Sequence, residues 1–227
     1  MKVGFIRSTV VVALAAAAIG VLAPASTGTT ALPPCKDGAY RLTASRWSHT
    51  LRWQFDASST PRNLAKSATE RILEHAATNV VTGRNSCGLP DRIAATQRYL
   101  GRTTRRPNIT RSGACGTSDG HNVVGFGTLP LGDMGLTCYW VQNGSTVESD
   151  ILLNRADYRW VTRVRAGCVS EWDVEAVATH EFGHAFGLGH VAEGLHGHLT
   201  MAPYILPCQD SQATLGLGDV RGLRAKY

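Results

Sequence analysis

Residues 180–190 read His-Glu-Phe-Gly-His-Ala-Phe-Gly-Leu-Gly-His, the pattern H-E-x-x-H-x-x-G-x-x-H. Each fixed position restricts the local structure. His180 and His184 are spaced i, i+4, so on a helix they share one face and two imidazoles can reach one metal ion. Glu181 lies about 100° further round, beside the ligand face rather than on it. Gly187 can take a positive φ, stop the helix and turn the chain back, which carries His190 beneath the other two histidines. Three imidazoles on a tetrahedral metal such as zinc leave one position open, as a catalytic site requires. A histidine alone is more often a satisfied core residue. The five fixed positions together argue against that reading.

The context is that of an exported chain. Lys2 and Arg7 precede an apolar stretch from Val10 to Leu22, and Ala23-Pro24-Ala25 fits a signal-peptidase site. Residues 1–25 are therefore expected to be a signal peptide and residues 26–36, rich in Ser, Thr, Pro and Ala, a flexible lead-in. The apolar run is short for a membrane span and no second one follows, so no stable membrane association is expected after cleavage. Removing residues 1–25 leaves 202 residues, one domain's worth, and lowers the net charge from +6 to +4. The one local cationic cluster, Arg102, Arg105 and Arg106, has no interleaved aromatics and reads as a solvated loop, so no nucleic-acid partner is expected. Six cysteines remain, Cys35, Cys87, Cys115, Cys138, Cys168 and Cys208, an even number that suggests three disulfides. Cys87–Cys115 and Cys168–Cys208 are the favoured pairs among 15 connectivities.

Hydrophobic periodicity gives a strand at residues 51–55 and a helix at 64–81. Strands follow at 122–126, 136–141 and 147–153. Residues 84–122 read mostly as loop, with a short helix at 93–100. The His180 helix is expected to be capped by the Ser170/Asp173 pair, and a last helix to be capped by Asp219.

The extended motif followed by Leu199-Thr200-Met201-Ala202-Pro203 resembles the metzincin zinc metallopeptidases, in which a methionine turn lies under the zinc histidines. Pro203 and the closing stretch from Leu215 to Tyr227 are most similar to the matrixins. The resemblance covers residues 37–227. It implies an α+β fold: a twisted, mostly parallel sheet with an antiparallel edge strand, three helices, and a small C-terminal subdomain (188–227) below a cleft whose upper part ends near residue 187. It also implies a secreted, monomeric zinc endopeptidase acting on protein or peptide chains. His180, His184 and His190 would bind one Zn²⁺. Glu181 would be general base toward a zinc-activated water, and Gly187 and Met201 would shape the site. The edge strand, with Leu136, Thr137 and Tyr139, would pair an extended substrate. Pro203 and Tyr204 would wall the pocket for an apolar residue after the scissile bond.

Several positions depart from the family. Tyr204 stands three residues after Met201, not two, which argues against a tyrosine zinc ligand. Val191 replaces the residues usual after the third histidine. Gly218 precedes Asp219 where animal matrixins carry two aspartates. The segment that builds their calcium and structural zinc sites is missing, leaving Asp119, Asp133 and Asp150 as calcium candidates against the ordinary solvated state of aspartates. Ser86-Cys87-Gly88-Leu89-Pro90-Asp91 resembles a cysteine switch, but lies after the first strand and helix, where cutting would leave too short a domain. His196 and His198 read as exposed loop residues. The rival functions are a secreted, non-catalytic peptide-binding protein of the same fold and a zinc hydrolase of small molecules.

Overall fold

Residues 51–54, alternately buried and more exposed, and residues 148–154, buried throughout, belong to the sheet on which everything else is mounted. The computed structural model describes residues 2–9, by their backbone, and residues 30–227. The apolar stretch and cleavage site of the expected signal peptide, and the first part of the lead-in, lie outside the described residues. In chain order the strands are β1 (Lys2–Thr9), β2 (Arg41–Leu42), β3 (Leu51–Asp56), β4 (Gln97–Thr103), β5 (Val123–Gly127), β6 (Asp133–Gln142), β7 (Ser145–Asn154), β8 (Trp160–Val161), β9 (Trp172–Asp173) and β10 (Leu188–Gly189). The helices are α1 (Lys66–Thr82), α2 (Val174–Ala185) and α3 (Leu217–Lys226).

The main sheet has the order β1-β6-β7-β5-β3-β4. The β3–β4, β3–β5 and β5–β7 pairs are parallel, and β6 is antiparallel to β7. Among the described residues, the mixed α+β architecture with three α-helices is therefore present. β1 pairs antiparallel with the outer side of β6, from Lys2↔Val141 to Thr9↔Asp133. With residues 2–9 in place, β6 is thus not the outermost strand that the sequence led us to expect.

α1 and α2 pack on one face of the sheet, where Trp53, Phe55, Leu73, Val80, Phe126, Val177 and Phe182 form the main core. The other face carries a smaller cluster of Leu129, Leu136, Cys138, Trp140 and Leu152. Strand alternation on β6 thus sends Leu136, Cys138 and Trp140 away from the helices and Gly135, Thr137 and Tyr139 to the opposite face.

The expected short helix at 93–100 is instead β4. Tyr99 packs on Trp53 with ring centroids 4.6 Å apart and donates to Glu70 at 2.6 Å, and Arg102 pairs with the same carboxylate at 2.7 Å. Parallel pairing with β3 supplied a partner that local periodicity could not reveal. Ser170 sits outside α2 at φ 52°, so Asp173 alone caps the helix, accepting from Ala176 N at 2.9 Å. In α3 the cap is Gly216, and Asp219 reaches back to its N–H at 2.8 Å.

The disulfides are Cys35–Cys87, Cys115–Cys138 and Cys168–Cys208. The third matches expectation. Cys87 is bonded to Cys35 rather than Cys115, because the lead-in folds back onto the body. Leu32 N donates to Leu195 O, Leu217 N to Pro34 O and Gly218 N to Asp37 O. The lead-in is therefore fastened from Leu32 onward. The place of a Gly218 side chain is taken by the backbone of Ala39, against which a Cβ would collide. A second aspartate at this position could not fit. With Cys87 in a disulfide, no thiol is available there for a cysteine switch. Among the described residues, no helix is long and apolar enough to cross a membrane.

Candidate metal centre and active site

α2 carries His180, Glu181 and His184, all with no exposed surface. Its last turn ends on Ala185, whose carbonyl accepts from Ser45 Oγ at 2.6 Å and Trp47 Nε1 at 3.0 Å. Gly187 then turns the chain at φ +95°, with its N–H on His184 O at 3.0 Å. A side chain there would meet the Ser45 carbonyl and the Lys226 stem. Both the backbone angle and the space demand glycine. The chain returns through β10, which pairs with β2, and delivers His190 to the other two histidines.

The three imidazoles converge. His190 Nε2 lies 3.0 Å from His180 Nε2 and 3.0 Å from His184 Nε2. Their other nitrogens settle the tautomers of the helical pair. His180 Nδ1 is 2.7 Å from Thr200 O and His184 Nδ1 is 2.9 Å from Leu188 O. A carbonyl can only accept, so each Nδ1 donates and each Nε2 turns a lone pair inward. Burial, joined by the His190 charge, holds His180 down to about 3, and burial holds His190 down to about 4. Burial also pushes His184 well below the ordinary histidine range. The inward lone pairs of His180 and His184, with His190 Nε2 3.0 Å from each ring's Nε2, are placed to share one cation. Three nitrogens bound tetrahedrally to zinc would stand about 3.3 Å apart, close to the spacing here. The donor set therefore fits zinc. Among the described residues, it is the one group of three or more His, Cys, Asp or Glu able to meet on a single ion.

Beneath the histidines lies Met201, 1% exposed. Its sulfur presses on Gly183, where any Cβ would strike it. Met201 O accepts from Val191 N at 3.1 Å. The turn is braced by Asp219, which is buried and accepts from Thr200 N at 2.9 Å and Met201 N at 3.2 Å. Burial, which outweighs these N–H donors, raises its carboxyl to about 6. Gly183 and Asp219 escaped the sequence reading as site residues. Gly183 occupies a variable position of the motif, and Asp219 acts from a helix nearly thirty residues away.

Glu181 points toward β6. Thr137 Oγ1 lies 2.6 Å from its Oε2 and 3.0 Å from its main-chain oxygen. Leu136 and Thr137 are wholly buried and Tyr139 is 6% exposed. Contact between this strand and an extended peptide would therefore run through the backbone, on the side where β1 pairs. Pro203 and Tyr204 are half-buried on the segment after the methionine turn. A hydrogen bond to Glu193 pushes the Tyr204 phenol up.

The remaining candidates lie elsewhere. Asp150 Oδ2 accepts from Asn108 N at 2.6 Å and Oδ1 from Val123 N at 2.7 Å, and burial raises its carboxyl to about 8. It acts as a loop anchor. Asp119, Asp133 and Asp150 do not form a ligand group with one another. His196 is not a free loop residue, because its Nδ1 contacts Asp37 at 2.8 Å, while His198 is exposed.

Residues 132–227 match the Matrixin family model. That stretch is matrixin-like. It runs from the start of β6 to the C-terminus and contains all three histidines, Glu181, Met201 and Asp219. A match to this family suggests zinc metallopeptidase activity, which would act on protein. No curated protein matches the chain. The loop before β5 is tied to β6 by Cys115–Cys138 and hung from the carboxylates of Asp150 and Glu148, the latter accepting from Ser118 Oγ and Gly120 N at 2.6 Å.

Proposed function

We propose that this chain is a secreted zinc endopeptidase that cuts extended polypeptides, with Glu181 as its general base. The observation that carries the reading is the convergence of three Nε2 atoms, those of His180 and His184 with lone pairs turned inward, beside a buried glutamate. His180, His184 and His190 would hold the metal, their orientation fixed by Thr200 O and Leu188 O on the helical pair. When bound, zinc supplies Lewis-acid polarisation of the scissile carbonyl and acidifies the attacking water. Glu181 takes a proton from that water as its oxygen bonds to the carbonyl carbon. The same carboxyl returns the proton to the departing amine nitrogen as the C–N bond breaks. Burial of the site keeps bulk water from competing for these charges.

Cleavage after Ala25 would remove residues 1–25, and with them β1. The outer edge of β6 would then be open to pair an extended substrate backbone by strand addition. An apolar preference after the scissile bond would follow from Pro203 and Tyr204 on the segment below. The three disulfides suit an oxidising, extracellular setting. We read the secreted protein as a monomer.

The deciding experiment compares mature wild-type protein with Glu181→Ala, both loaded with zinc, on a reduced and alkylated protein substrate. The reading requires fragments from the wild type and none from the variant. Intact substrate with both, from folded and zinc-bound protein, would turn the assignment to a peptide-binding role. Hydrolysis of a dipeptide but not of long chains would turn it to a small-molecule hydrolase.

A further inference from the structure

Two residues of β6 that belong to no sequence motif face Glu181. Gly135 and Thr137 are two apart and so face the same way, toward α2. Thr137 is wholly buried, and its hydroxyl lies 2.6 Å from Glu181 Oε2. A hydroxyl has one hydrogen, and both neighbours are acceptors. The carboxylate, nearer and charged, takes it in preference to the main-chain oxygen at 3.0 Å. At Gly135 a Cβ would collide with Glu181 Oε1 and stand 2.8 Å from its Cδ and 3.0 Å from its Cγ. Gly135 is not among the positive-φ glycines, so its need for glycine is one of space rather than backbone angle. One residue therefore makes room for the carboxyl and the next on the same face donates to it.

We propose that Gly135 and Thr137 form a cradle on β6 that positions the Glu181 carboxylate, Thr137 by its hydrogen bond and Gly135 by its missing side chain. This rests on the peptidase reading of Glu181. A long glutamate side chain has three torsions to fix, and a displacement of about 1 Å at a reacting group costs on the order of a hundredfold in rate. The strand that would pair the substrate would thus also hold the base, so that the two are aligned by one rigid element. Thr137 is in this account a positioning residue, since it touches Glu181 and not the reacting atoms.

The test uses zinc-loaded wild type, Thr137→Val, Thr137→Ser and Gly135→Ala. Steady-state kinetics are measured on a quenched-fluorescent peptide that the wild type cleaves, together with zinc content and the crystal structure of each metal-free variant. Thr137→Val keeps the shape and loses the donor. It should lower kcat by about ten- to a hundredfold with KM and zinc content unchanged, and its Glu181 side chain should leave the wild-type conformation. Thr137→Ser restores the donor and should recover most of kcat. Gly135→Ala should displace Glu181 and lower kcat even where Thr137→Val folds poorly. Wild-type kcat in Thr137→Val, or a serine variant as slow as the valine one, would overturn the proposal. So would an unmoved Glu181 in the metal-free Thr137→Val and Gly135→Ala structures, a result that stands even if the wild type itself cleaves nothing. Absence of wild-type cleavage counts against the peptidase reading instead.

Discussion

Asp219 sits outside the zinc motif yet reaches it through two hydrogen bonds in series. Its Oδ2 accepts from Thr200 N, and the carbonyl of Thr200 in turn accepts from His180 Nδ1. In all, three backbone N–H groups point at this one carboxyl, from Thr200 at 2.9 Å, Gly216 at 2.8 Å and Met201 at 3.2 Å. Asp219→Ala would strand all three in a site that is 1% exposed. At about 1–3 kcal/mol for each buried donor left without a partner, the gross loss is about 5 kcal/mol. Against this, burial raises the carboxyl from 3.8 to about 6. That shift means holding the charge costs about 3 kcal/mol near neutral pH, a cost the alanine variant escapes. The expected net loss is therefore about 2 kcal/mol. Asp219→Asn should behave differently. Its amide oxygen can keep the Thr200 and Gly216 donors, and its NH₂ opposes only the longer Met201 contact, with no buried charge. It should lose less than about 1 kcal/mol. Urea unfolding of the metal-free proteins at pH 7 measures both values without contribution from bound zinc. Zinc titration should show Asp219→Ala weakened by about tenfold or more, because the His180 ring loses its support. If the asparagine variant proves as unstable as the alanine one, it is the charge and not the acceptor geometry that holds the turn, and the reasoning fails.

Two further substitutions probe other parts of the account. Gly187→Ala forces a side chain into φ +95° and against the Ser45 carbonyl. It should cost about 2–4 kcal/mol in urea unfolding and weaken zinc binding, and a wild-type result in both would show that the turn is not strained as described. Asp173, the α2 cap, is raised by burial to about 6 from 3.8. Its contribution to stability is thus full below about pH 3.8 and is lost as pH rises through about 6. Asp173→Asn mimics the neutral form, so its stability relative to wild type should climb across that window by up to about 3 kcal/mol and then level off. A pH-independent difference between the two unfolding curves would contradict this assignment.

Much of the site could be read from residues 180–190 because helical spacing and one glycine fix where three imidazoles go. The sheet strands at β3, β5, β6 and β7 were also legible, β3 by its alternation and the others as short segments set apart by Gly and Asn turn signals. β4 was not. Its Gln97, Tyr99 and Arg102 gain their meaning from Trp53 and Glu70, residues distant in sequence. The Cys35–Cys87 bond was hidden for a related reason. Nothing local shows that the lead-in folds back to donate and accept hydrogen bonds at Leu195, Leu217 and Gly218. Thr137 was noticed as part of a strand able to pair a substrate. Its side chain serves a different end, because whether β6 faces α2 at odd or even positions is decided by packing and not by the strand's own pattern.

The central claim is that His180, His184 and His190 hold one zinc ion with a coordination position left open beside Glu181. Anomalous diffraction at the zinc edge from crystals of the mature protein tests it most directly. The account predicts a single strong peak within about 2.0–2.1 Å of the three Nε2 atoms, with no fourth protein ligand. A zinc ion elsewhere, or one closed off by a fourth side chain such as Tyr204, would contradict it.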